Sequence, residues 1–132
     1  MIAVVDDDPE IADALSTWMG ILGFETTVHG SAENLLAWLQ SNGNKTSRRV
    51  KGDNVLSCPL KGAILDINLP GINGIELAHK LRKQYRDLPM VLITALRHDE
   101  VQSLGGLPLG VPFIRKPFDL DVLEGILFQS KD

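Results

Sequence analysis

Cysteine is nearly missing from this chain, since Cys58 is the only one among 132 residues. That excludes an intramolecular disulfide framework and disfavours a cysteine-based zinc cluster, and it fits a reducing compartment. A basic excess is missing as well. The 13 Lys+Arg against 17 Asp+Glu leave a formal net charge of -4, so no chain-wide surface for nucleic acid or anionic membrane is indicated. No apolar run approaches the roughly 20 residues needed to cross a bilayer. The stretch Met1 to Val5 has no basic lead and stops at Asp6, so no secretory signal is visible. These absences predict a cytoplasmic protein that touches neither membrane nor, through this domain, nucleic acid. Repeats, low-complexity tracts and interdomain linkers are also lacking. With 44% hydrophobic residues, 132 residues suffice for one core, and a single domain over 1–132 is expected.

What is present is an alternation. Ile2 to Val5, Ala63 to Leu65 and Met90 to Ile93 are short apolar runs that each end at a polar residue, and they read as buried strands. A weaker strand is expected at Thr26 to Val28, and another at Pro112 to Arg115. Between them, apolar residues recur at three- and four-residue spacing: Ile11, Ala14, Leu15, Trp18, Met19 and Leu22, then Leu35, Leu36 and Leu39, then Ile75, Leu77, Ala78 and Leu81. A last helix is expected near Leu120 to Phe128, opened by Asp119. The order is strand then helix, five times over. Such alternation predicts an α/β domain with a parallel sheet covered on both faces and a functional crevice at the carboxyl ends of the strands.

Two segments break the pattern. Ser41 to Gly62 is polar and too long for an ordinary connection, so it reads as an inserted loop at about 41–62. Lys45, Arg48, Arg49, Lys51 and Lys61 stand there against Asp53 alone, the composition of a solvated loop with a basic bias. The stretch LGGLPLGVP over 104–112 is rich in glycine and proline, so the fourth helix should be short or irregular.

The chemistry concentrates at the strand ends. In VVDDDPEI, three like charges follow an apolar strand, and two carboxylates about 4 Å apart repel by roughly 4 kcal/mol at an effective dielectric near 20. Solvent, a cation, a raised pKa or a helix N-terminus must offset that repulsion. Asp8 before Pro9 is explained as a helix cap, because Asp is favoured at the cap and Pro at the first helical position. Aligning the strands puts Asp6 and Asp7, Asp66, Thr94 and Lys116 on one edge. Three carboxylates make a hard oxygen site suited to magnesium. Thr94 and Lys116 add the hydroxyl and the positive charge that hold phosphoryl oxygens while a carboxylate acts as nucleophile.

At these residues the chain resembles the receiver domain of bacterial two-component response regulators. The matching pieces are VVDDDPEI, ILDINLPGING, VLITA and FIRKPF. The resemblance implies a flavodoxin-like (βα)5 fold with strand order 2-1-3-4-5. It implies that Asp66 accepts a phosphoryl group from a sensor histidine kinase or phosphotransfer protein, and that magnesium, with manganese as an expected substitute, is held by Asp6, Asp7, Asp66 and the backbone carbonyl of Asn68. Thr94 and Phe113 are then the switch residues, and Lys116 the counter-charge. The implied role is a signalling phosphoacceptor that assists only its own phosphorylation and dephosphorylation, controls an output domain or target protein, and is able to form a homodimer on phosphorylation. The last helix, LDVLEGILFQS, lacks the basic residues of a charge-paired dimer. The rival reading is a haloacid-dehalogenase-like phosphatase, which also forms an aspartyl phosphate. That chemistry needs a second Asp two residues after the nucleophile as acid and base, and Asn68 stands there.

Overall fold

A computed structural model of the chain describes residues 1–46, 60–108 and 110–128. Among them, five strands alternate with five helices: β1 (Ile2–Val5), α1 (Pro9–Ile21), β2 (Thr26–His29), α2 (Ala32–Thr46), β3 (Gly62–Asp66), α3 (Gly74–Gln84), β4 (Met90–Thr94), α4 (His98–Ser103), β5 (Phe113–Arg115) and α5 (Leu120–Leu127). All strand pairs are parallel and the sheet order is β2-β1-β3-β4-β5. This is the doubly wound, flavodoxin-like architecture that the alternation and the resemblance imply.

The three central strands are buried along their whole length because both sheet faces are covered. Alternate side chains divide between two cores. On one face Ala3, Val5, Leu65 and Leu92 pack with Leu35 and Leu39 of α2, Leu77 and Leu81 of α3 and Val101 of α4. On the other, Ile2, Val4, Ile64, Val91 and Ile93 meet Leu15 and Met19 of α1 and Leu123 and Leu127 of α5. Of the helical stripes read from the sequence, Leu15, Met19, Leu35, Leu39, Ile75, Leu77, Ala78 and Leu81 are core and Ile11, Trp18, Leu22 and Leu36 pack against it, whereas Ala14 is exposed because it lies on the solvent side of α1. Truncating a fully buried leucine such as Leu15 or Leu77 is expected to cost about 2–5 kcal/mol.

One boundary differs from expectation. Helix α2 runs on through Thr46, so the first six residues of the stretch 41–62 are helical and not loop. Once nucleated, a helix propagates through neutral polar residues, and Gly43 alone, at about 1 kcal/mol, does not stop it. Residues 47–59, with Arg48, Arg49, Lys51 and Asp53, lie outside the described residues. Helix α4 has six residues, the short fourth helix that LGGLPLGVP demands. At the start of α5, Asp119 occupies the cap position, yet its side chain makes no capping hydrogen bond.

Candidate functional site

The sheet register builds the site. Val5 pairs with Leu65, Asp66 with Ile93, and Thr94 with Arg115, so Asp6, Asp66, Thr94 and Lys116 arrive at the carboxyl ends of adjacent strands. Backbone bonds extend this alignment one residue past each strand: Asp6 N–H donates to His29 O at 3.1 Å, Ile67 N–H to Ile93 O at 2.9 Å, and Lys116 N–H to Thr94 O at 2.6 Å. The backbone therefore fixes the residues before any side chain interacts.

The three aspartates at the start divide as their chemistry suggests. Asp6 is buried and Asp7 and Asp8 are exposed. Asp8 caps α1, its Oδ1 accepting the Glu10 N–H at 3.0 Å, with Pro9 in the first turn. Asp6 Oδ1 accepts the Asp8 N–H at 2.9 Å, which turns the chain out of the strand. Carboxylate oxygens of Asp6, Asp7 and Asp66 lie within 4.8 Å of one another. Such a trio fits a hard divalent cation that takes few protein carboxylates.

Lys116 faces this cluster. Its Nζ lies 3.2 Å from Asp6 Oδ2 and 3.4 Å from Asp66 Oδ2, so one ammonium bridges two buried carboxylates. Burial, followed by the charge of Asp6, pushes the Asp66 carboxyl up from 3.8 to about 6, against the opposing pull of Lys116 and of the Asn68 amide. That amide donates to Asp66 Oδ1 at 3.2 Å. Thr94 is fully buried, and its Oγ1 accepts the Leu96 N–H at 2.9 Å, which leaves the hydroxyl proton available for donation. The peptide after the lysine, Lys116–Pro117, is cis.

The loop from Asp66 into α3 is shaped by close approach. A Cβ on Gly74 would collide with the carbonyl oxygen of Asp66, so only glycine lets α3 start there. Asn73 caps the helix through its Oδ1, which accepts the Glu76 N–H at 2.9 Å. Phe113 stands apart from the acidic cluster. Its half-buried ring packs on the core beneath α4, 5.4 Å from the His98 ring centroid. It lines a groove of about 470 Å³ with His98, Val101, Gly106 and Leu107.

A model of the response regulator receiver domain matches residues 2–128. The chain belongs to that family. It is a signalling domain of two-component systems, as the motifs at the strand ends imply. Among relatives, it is 35% identical over 118 residues to the DNA-binding response regulator MtrA of Mycolicibacterium smegmatis, covering 89% of this chain and 44% of MtrA. It is 32% identical over 119 residues to the transcriptional regulatory protein AruR of Pseudomonas aeruginosa, covering 89% and 43%. The receiver therefore spans less than half the length of these curated relatives. Among solved structures, the response regulator TrrA of Thermotoga maritima, in complex with Mg(2+)-BeF, is 29% identical with a TM-score of 0.66, covering 93% of this chain and 91% of that one. A receiver protein from Sinorhizobium medicae shares the fold with a TM-score of 0.74 at 21% identity, over 96% and 89% of the two chains. Nothing in these relatives supports the phosphatase alternative.

Some features of the receiver were not visible beforehand. His29 is buried at the end of β2, with Nε2 2.8 Å from Thr27 Oγ1 and Nδ1 bonded to Asn34 Oδ1. Glu33 of α2 reaches the Ile72 N–H at 3.1 Å. Both contacts join residues whose proximity depends on packing. His79 and His98 are exposed.

Proposed function

We propose that Asp66 accepts a phosphoryl group from a phosphohistidine of a sensor kinase or phosphotransfer protein, and that the aspartyl phosphate shifts the domain to the conformation its output reads. The observation that carries this reading is the Lys116 ammonium bridging Asp6 and Asp66 at 3.2 and 3.4 Å. In the transfer, an Asp66 oxygen forms a bond to phosphorus as the bond from phosphorus to the donor nitrogen breaks. The electron pair of that bond leaves with the imidazole. Lys116 neutralises charge on the nucleophile and then on the phosphoryl oxygens, and the Thr94 hydroxyl donates to one of them.

Asp6, Asp7, Asp66 and the Asn68 carbonyl would hold magnesium, with manganese as a substitute of the same ligand preference. When bound, the cation supplies positive charge that screens the approach of carboxylate to phosphoryl group. The remaining step is a population shift. New bonds from Thr94 and Lys116 to the phosphate favour one of two arrangements, and Phe113, beside the α4 groove, reports it. The protein is thus a phosphoacceptor switch without an external substrate of its own. It works in the cytoplasm as one domain over 1–132 with an insertion after α2, and it acts on an output domain or target protein. Its acidic balance gives no chain-wide attraction to an anionic membrane or to nucleic acid. Any homodimer formed on phosphorylation would lack a charge-paired last helix.

The test is to incubate the protein with magnesium and acetyl phosphate and to measure intact mass. Wild type should gain one phosphoryl group and Asp66→Asn none, and equal labelling of the two would sink the assignment. Turnover of external phosphoesters would favour the phosphatase chemistry instead.

A further inference from the structure

The loop that follows Asp66 is held at its tip by a residue the phosphoryl chemistry does not use. Glu33 lies in the first turn of α2, 39 residues from Ile72, and its Oε2 accepts the Ile72 N–H at 3.1 Å. The neighbouring Gly71 has φ +75°, and a Cβ there would come within 2.5 Å of the same carboxylate oxygen. The loop is therefore shaped to admit a carboxylate at its tip. At its base the loop is closed by two backbone bonds: Leu69 and Gly74 N–H groups both donate to Ile67 O, at 3.0 and 2.9 Å. Asn68 lies within the basal turn that Ile67 and Leu69 close, with its amide on Asp66 Oδ1. Glu33 is exposed and stays ionised, because the Ile72 amide, and then its own backbone amide, hold its carboxyl below the usual glutamate range.

We propose that Glu33 is a positioning residue that tethers the 67–73 loop to α2 through the Ile72 amide and so holds Asn68 in place beside the acidic cluster. Its catalytic consequence rests on the phosphoacceptor reading, but the tether itself does not. Linkage makes the contact reciprocal: a cation that orders the loop also tightens the loop on α2. The requirement is reach and an acceptor oxygen, not charge. Glutamine keeps both, whereas aspartate keeps the charge and is one methylene too short.

The experiment compares the wild-type chain with Glu33→Gln, Glu33→Asp and Glu33→Ala. Amide exchange at Ile72, magnesium affinity by calorimetry and the rate of labelling by acetyl phosphate are measured alongside melting. Glu33→Asp and Glu33→Ala should speed Ile72 exchange, weaken magnesium binding and slow labelling by about 3- to 10-fold each, the size of one lost hydrogen bond. Glu33→Gln should stay within about twofold of wild type on all three, and magnesium should slow Ile72 exchange in wild type and Glu33→Gln. The proposal is overturned if Ile72 exchange and magnesium affinity are unchanged in Glu33→Asp, or if Glu33→Asp behaves as wild type while Glu33→Gln is impaired. If wild type takes up no phosphoryl group, the phosphoacceptor reading fails, and exchange and magnesium affinity still judge the tether.

Discussion

Replacing Asp66 by asparagine probes the electrostatics of the site without any phosphodonor. The carboxyl is buried against Asp6, and those two influences raise it from 3.8 to about 6 although Lys116 opposes them. At about 1.36 kcal/mol per pH unit, ionising it at neutral pH costs roughly 3 kcal/mol more in the folded protein than in the unfolded chain. Asparagine keeps the shape and removes that cost, including the repulsion with Asp6. The cation-free variant should therefore be more stable than cation-free wild type by about 2–3 kcal/mol near pH 7.5, which is a rise of roughly 5–10 °C in Tm for a domain of this size. The sign follows from proton binding. Between 3.8 and about 6 the folded carboxyl keeps a proton that the unfolded chain has released, so wild-type stability falls as pH rises through that window. The advantage of Asp66→Asn is then full above about pH 7 and disappears towards about pH 4. Thermal melts of both proteins in chelator, from about pH 4 to about pH 8, provide the measurement. The reasoning is refuted if wild type is the more stable protein at neutral pH without a cation, or if the gap is independent of pH.

Four further outcomes are expected. Lys116→Ala removes the one charge that bridges Asp6 and Asp66, so labelling by acetyl phosphate should fall by at least about 100-fold, with circular dichroism checking that the fold persists. Asp7→Ala should abolish magnesium-dependent labelling and leave melting nearly unchanged, because the side chain is exposed. Asp8→Ala should instead lower stability by about 1 kcal/mol through loss of the α1 cap while magnesium affinity, read by calorimetry, is retained. His29 is buried and its pKa is lowered below 6.5, by desolvation first and against the bond to Asn34. The folded protein favours the neutral ring, so this contribution to stability is present above pH 6.5 and is lost as pH falls below it. Acid titration of His29→Gln, followed by melting, should show that loss removed.

Much of the domain was legible from local pattern. Apolar runs ending at a polar residue marked the three central strands, since a strand buried on both faces must be apolar throughout. The spacing of Ile75, Leu77, Ala78 and Leu81 marked α3 because three- and four-residue recurrence is the geometry of one helix face. Asp8 and Pro9 marked the start of α1 for local reasons of capping, and the structure shows that cap. The end of α2 was misjudged, since Thr46 lies within a polar stretch where neither pattern nor breaker decides between helix and loop.

The same division holds for the site. Sequence alone determined which chemical groups follow each strand: Asp6 and Asp7, Asp66, Thr94 and Lys116. That is because a strand end is a local event, and motif order carries through to an aligned sheet edge. Only the tertiary structure decided how those groups share charge. Parallel register and burial put one Lys116 ammonium between Asp6 and Asp66 and raised the Asp66 carboxyl. The Glu33–Ile72 tether and the His29–Asn34 contact belong to the same class. Each joins residues on different elements, and no periodicity in the chain encodes a distance that appears only when α2 packs against the sheet.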